Sequence, residues 1–167
     1  MRHLREWLIK FTKNKQEVYS ILSNIPPAEL ERGRLLITAG IAECAFKILG
    51  GDDMRVLGAE FTDGGVLQLK ADVKGMKLSY RLKPTQFTID RGRLLFAAEY
   101  AEEREGGGLS GALLGMTGKS GLAFALQKHR WAKVDNTTLR IELDGLPQDS
   151  RAQLVNVTRQ GILLRLN

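Results

Sequence analysis

The sequence predicts an α+β protein in which a helical N-terminal third, residues 1–50, precedes an antiparallel β-meander, residues 54–167, packed on an apolar helix near residues 109–127. Three observations carry this. Leu67, Leu69, Ala71 and Val73, then Met76, Leu78, Tyr80 and Leu82, place an apolar residue at every second position, with Gln68, Lys70, Asp72, Lys77, Ser79 and Arg81 between them. Strand side chains alternate between two faces, so a period of two marks half-buried strands. Upstream the apolar residues recur at helical spacing instead. Downstream, residues 109–126 (LSGALLGMTGKSGLAFAL) are apolar and small enough to lie over the open face of a sheet. A chain of 167 residues suits one domain with a substantial core.

The composition, 43% hydrophobic and 26% charged, is that of a globular chain rather than a disordered one. A formal charge of +6 favours anionic partners such as phospholipid headgroups or nucleic acid. Cys44 is the sole cysteine, so no intrachain disulfide forms and a cysteine metal site lacks its ligands. The opening MRHLREWLIKFTKNK has basic residues but no uninterrupted apolar run of signal-peptide length. The expectation is a cytoplasmic protein, peripheral to a membrane.

Taken in order, Leu4, Trp7, Leu8 and Phe11 form one face of a short helix whose other face carries Arg2, Arg5, Lys10 and Lys13. Two roles fit: a foot on an anionic membrane surface through Arg2, Arg5, Trp7, Lys10 and Phe11, or a terminal helix packed on the core with solvated lysines. Asn14 and Glu17 resemble a capping box for a second helix over residues 15–24, ended by Pro26 and Pro27. Residues 28–32 allow one more turn. Ile37, Ile41, Cys44 or Ala45, and Ile48 predict a helix over residues 35–49, stopped by Gly50 and Gly51; a strand beginning at Leu35 is the alternative, which the alanines and the length disfavour. Strands follow: residues 56–61, a turn at Thr62-Asp63-Gly64-Gly65, and the alternating pair already described, turning at Gly75. Pro84 breaks the second strand, Phe87 and Ile89 restart it, and Asp90-Arg91-Gly92-Arg93 turns into Leu94, Phe96, Ala98 and Tyr100. Glu99, Glu102, Glu103 and Glu105 make an acidic patch, and Gly106-Gly107-Gly108 hinges into the apolar segment. That segment is long enough to cross a bilayer, but Lys119 and its many Gly, Ser and Thr residues argue against a span. Leu139, Ile141 and Leu143 resume the sheet, and strands over residues 152–158 and 162–166 close the chain.

Chemical motifs fail on inspection. In Gly115-Met116-Thr117-Gly118-Lys119-Ser120 the first glycine of a phosphate loop would have to stand where Leu113 does. Ser110 and Ser120 lack the closing glycine of a nucleophile elbow. His3 and His129 have no second ligand at metal spacing, and Asp52-Asp53 reads as a solvated loop. These residues predict no catalytic group, metal or cofactor, and a protein that is not an enzyme. Lys70, Lys74, Lys77, Arg81 and Lys83 give the outer meander face a basic stripe with only Asp72 opposing it, as a phosphate-tracking surface requires. Interleaved aromatics for base stacking are missing.

The order of the VLQLKADVKGMKLSYRLKP hairpin, the FTIDRGRLLFAAEY hairpin, an apolar helical stretch and the closing VNVTRQGILLRLN hairpin resembles that of the bacterial LmeA-like proteins, within the tubular lipid-binding (TULIP) group. The resemblance covers about the last hundred residues, in pattern rather than in any chemical motif. It implies a curved sheet wrapped on the apolar helix, with a lipid groove between them. Leu67, Leu69, Leu78, Tyr80, Phe87, Leu94 and Phe96 would line the sheet side of that groove, and Leu113, Leu122 and Phe124 the helix side. The same residues closing into a solid core is the competing outcome. The expected function is therefore non-enzymatic binding of lipid or of an anionic membrane surface; the alternative is a basic module binding nucleic acid or a protein partner.

Overall fold

The computed structural model describes residues 16, 21, 23–105 and 120–167. Nine strands among them form one antiparallel sheet: β1 (Arg34–Ile37), β2 (Arg55–Phe61), β3 (Leu67–Val73), β4 (Met76–Asp90), β5 (Arg93–Glu105), β6 (Ala132–Val134), β7 (Thr138–Asp144), β8 (Ala152–Thr158) and β9 (Gly161–Leu166). The described helices α1 (Pro27–Glu31), α2 (Ala39–Gly50) and α3 (Gly121–Leu126) are short. The described residues are thus mostly antiparallel sheet, and a helical N-terminal third is not seen among them. The two helices expected within residues 1–24 lie outside the described residues, apart from Gln16, Ile21, Ser23 and Asn24.

The helix expected from Leu35 starts four residues later. Leu35 and Ile37 pair instead with Leu164 and Ile162 of β9, which supply the backbone partners that a helix would otherwise provide. Thr38 then caps α2, its Oγ1 accepting the Ile41 N–H at 3.4 Å. A long-range pairing here overrides local propensity. Cys44 points into the core with Ile41, Ala42 and Phe46.

The meander has the expected register and one unexpected continuity. Leu67, Leu69, Ala71 and Val73 face Leu82, Tyr80, Leu78 and Met76 across the β3–β4 pair, and all eight are buried. Pro84 does not end β4. The strand runs through it as a bulge between Pro84 and Gln86, because β5 accompanies it along its whole length. What changes at the bulge is the neighbour on the other edge. Before it, β4 pairs with β3; after it, Thr88 and Ile89 pair with Gln153 and Ala152 of β8. A residue with no N–H to donate sits where the ladder changes hands.

The sheet therefore branches on β4, with β2–β3 on one limb and β8–β9–β1 on the other. The limbs touch again at their tips. Gly65 (φ +70°) lies so close to β8 that a Cβ would fall 2.9 Å from the Val157 carbonyl oxygen, and Arg159 meets Asp63 at 3.8 Å. Between the two limbs, residues 83–87 of β4 have no ladder partner on this edge.

Candidate functional site

The inward face of the sheet is largely apolar, but only part of it is sealed. At the β2–β3 end, Leu69, Tyr80, Leu82, Leu122 and Leu126 are fully buried, and Leu67 and Leu78 nearly so. α3 seats so tightly here that a Cβ on Gly121 would collide with Leu78 and approach the Tyr80 hydroxyl to 2.8 Å. Four of the proposed groove residues, Leu67, Leu69, Leu78 and Tyr80, thus belong with Leu122 to a packed core. Phe124 faces outward at 39% exposure, with the Lys74 ammonium 5.9 Å from its ring centre. Its neighbours explain this: Leu122 and Leu126, four apart, share the buried side of α3, and the residue midway between them must point away. Leu113 lies outside the described residues, as do Arg2, Arg5, Trp7, Lys10 and Phe11.

Past the bulge the same face stays half open. Phe87 pairs with Phe96 and Ile89 with Leu94, and all four are only half-buried, as is Leu154 on β8. The two phenyl rings meet edge to face, 5.8 Å apart at 68°. Of the expected lining, Phe87, Leu94 and Phe96 are the residues that the structure leaves together on an incompletely covered apolar surface.

A polar cluster interrupts the inward face where α3 begins. Glu102, cross-strand from Tyr80, reads in sequence as part of a solvated acidic patch, yet its side chain is only 11% exposed. Its carboxylate accepts the Gly121 N–H at 2.8 Å and Arg104 Nε at 3.3 Å. Tyr100 donates to the Asp135 carbonyl and is met by the Ser120 hydroxyl at 2.7 Å, while Ser120 Oγ also accepts the Ala123 N–H. The Tyr80 hydroxyl makes no hydrogen bond of good geometry. Burial, and then the nearby Glu102 carboxylate, push its ionisation far above the usual phenol range. Burial likewise raises Tyr100. Together these groups clamp the start of α3 to β5. Strand parity alone locates Glu102 and Arg104, since they continue the series Leu94, Phe96, Ala98, Tyr100.

The outer face is not the unopposed basic stripe that the sequence suggests. β5 brings Glu99 opposite Lys83 and Glu103 opposite Ser79, in addition to Asp72 opposite Lys77 on the β3 side. Opposite charges alternate across this surface, as in a self-compensating sheet rather than a phosphate track. Asp53 holds Lys128 at 2.5 Å and Lys74 at 3.4 Å, and the Lys128 ammonium beside it lowers its carboxyl ionisation. Lys128 also donates to the Gly50 carbonyl at 3.4 Å, and His129 Nε2 lies 3.0 Å from Leu49 O, so two basic side chains meet the last carbonyls of α2. His129 stacks on Trp131 at 4.2 Å. Among the described residues no three His, Cys, Asp or Glu side chains are grouped to hold a metal, and no helix is long and apolar enough to cross a membrane. Comparison of the chain with protein-family models, curated proteins and solved structures finds no match.

Proposed function

We propose that this protein binds a lipid chain against the inward face of its sheet, at the end formed by Phe87, Ile89, Leu94, Phe96 and Leu154, and associates with anionic membrane surfaces. The observation that carries this reading is the difference in burial along one apolar face. The Leu67–Leu82 row is sealed to solvent, whereas the Phe87–Phe96 row continues it and is left half open. A bound alkyl chain needs no catalytic group there, only apolar area, at about 0.8 kcal/mol per methylene removed from water. The net charge of +6 favours an anionic amphiphile over a neutral one.

The test is organic extraction of the purified protein followed by mass spectrometry, with flotation on anionic vesicles at low salt. A co-extracted lipid, or flotation that fails on neutral vesicles, is expected. No extracted lipid together with no vesicle binding would refute the proposal. The alternative, nucleic-acid binding, loses support from the acidic partners that β5 sets against the basic residues of β4. Retention on nucleic acid that falls steeply with salt would restore it.

A further inference from the structure

Among the described residues the sheet has outer edges at β1, β2 and β6, and β2 is the longest of these strands. It pairs with β3 alone, and the backbone groups along its other side have no partner. Buried backbone groups are almost always hydrogen-bonded, so this edge is open to water. α2 packs on the inward side of β2, where Ala42 and Phe46 join Val56 and Phe61 in the core. An open edge of this kind is a template for another strand.

The side chains along β2 say which strand fits. A bulge between Val56 and Gly58 resets the alternation. Arg55 lies opposite Asp72 and Glu60 opposite Gln68, so both point outward, although a regular strand would turn residues at an odd spacing to opposite faces. Arg55 reaches Asp72 only at 3.7 Å, and Glu60 takes part in no ion pair. Leu57 is the extra residue of the bulge, without a partner on β3, and it is a large apolar side chain left 47% exposed. Beside it, Gly58 has nothing within 4 Å of the place where a Cβ would stand.

We propose that β2 pairs antiparallel with β2 of a second copy of this chain, across a two-fold axis between Leu57 and Gly58. In that register Arg55 faces Glu60, Val56 faces Ala59 and Leu57 faces Gly58, each pair occurring twice by symmetry. Cross-strand neighbours must share a face, and these do: Arg55 and Glu60 point outward, whereas Val56 and Ala59 stand opposite the buried Ala71 and Leu69 and point inward. The exposed Leu57 of each copy then meets the open space at Gly58 of the other. Sliding the pairing by one residue sets Arg55 against Ala59, or Val56 against Glu60, on opposite faces. Sliding it by two sets Arg55 against Gly58 or Thr62 and leaves its charge unmatched, so a single register is selected. Charges on an edge ordinarily repel a second strand. Here the two-fold axis brings opposite signs together. One short strand a side belongs at the weak end of specific interfaces, so the dimer forms at high micromolar rather than nanomolar concentration.

The experiment is sedimentation equilibrium of the full chain from low to high micromolar concentration. The wild type is expected to pass from monomer to dimer. R55E and E60R each set like charges across the axis twice, and each is expected to weaken the dimer about tenfold. The double reversal R55E/E60R is expected to restore it, and an equimolar mixture of R55E with E60R to associate more tightly than either alone. Arg55 and Glu60 are exposed, so these variants keep the core, which circular dichroism checks. A wild-type chain that stays monomeric throughout the range overturns the proposal. So does a dimer that neither single reversal weakens, or one that neither the double reversal nor the mixture restores.

Discussion

The contrast between the sealed and the half-open end of one apolar face predicts that stability and ligand binding separate on mutation. Leu69 is fully buried between Ala59 and Tyr80 on neighbouring strands. Leu69→Ala removes its transfer energy and leaves a cavity that a close-packed core fills only in part, costing about 3 kcal/mol within a usual span of 2–5. For a chain of this size each kcal/mol lowers Tm by roughly 2–4 °C, so a fall of about 6–12 °C follows. Phe87→Ala removes a larger side chain, but one only half-buried, together with one edge-to-face contact to Phe96. Half of a full Phe→Ala penalty gives about 2 kcal/mol. The assay is paired: thermal unfolding of the lipid-free proteins, and parinaric acid titration of each at a temperature where both are folded. Leu69→Ala is expected to lose more stability yet keep its affinity. Phe87→Ala is expected to lose less stability and about tenfold in affinity. Equal destabilisation by the two substitutions would show the Phe87 end to be ordinary core. Unchanged affinity in Phe87→Ala would remove it from the binding surface.

Three further outcomes follow from single features. Tyr80→Phe deletes a buried hydroxyl that has no good hydrogen-bond partner, so it should change stability by less than about 1 kcal/mol, read by denaturant unfolding. The Asp135 carboxylate accepts from the hydroxyl and N–H of Thr138 and the N–H of Thr137, which lower its ionisation to about 2. A folded-state value below the unfolded one gives stability that is complete above the unfolded value and lost as pH falls through the folded one. The Tm gap between wild type and Asp135→Ala should therefore be full near neutral pH and close as pH drops from about 4 to about 2; a gap that persists at the lowest pH would contradict this. At Gly161, with φ +139°, any Cβ would run into the Ile37 carbonyl oxygen. Gly161→Ala should destabilise by several kcal/mol and loosen β1 first, visible as faster amide exchange at Leu35 and Ile37.

How much was legible in the sequence depended on whether a feature was local. The β3–β4 hairpin, its turn and its apolar face follow from alternation in a short window, and the register agrees residue by residue. Pro84 looks like a break because propensity weighs one residue at a time; the partner that carries β4 across it lies on β5, after the next turn. Phe124 is expected in the groove beside Leu122 on the strength of a family resemblance, yet two positions apart on a helix put side chains on opposite sides. The acids that neutralise the basic stripe were in plain view at Glu99 and Glu103, and extending β5 to Glu105 would have placed them on the outer face. At Leu35 and Ile37 local sequence admits a strand but favours a helix, because what makes them a strand is the distant pairing with β9.

That last pairing bears on how the protein is made. β1 is the first described strand to be synthesised, and its hydrogen-bonding partner β9 is the last of them. Until Gly161–Leu166 has been made, the Arg34–Ile37 strand has no β9 to cover its edge, and β4 waits beyond its bulge for β8. Topologies dominated by such distant pairings fold slowly and expose strand edges while they wait. A protein of this design should depend on chaperone protection on the ribosome, and removing β9 should bare the edges of β1 and β8 and promote aggregation.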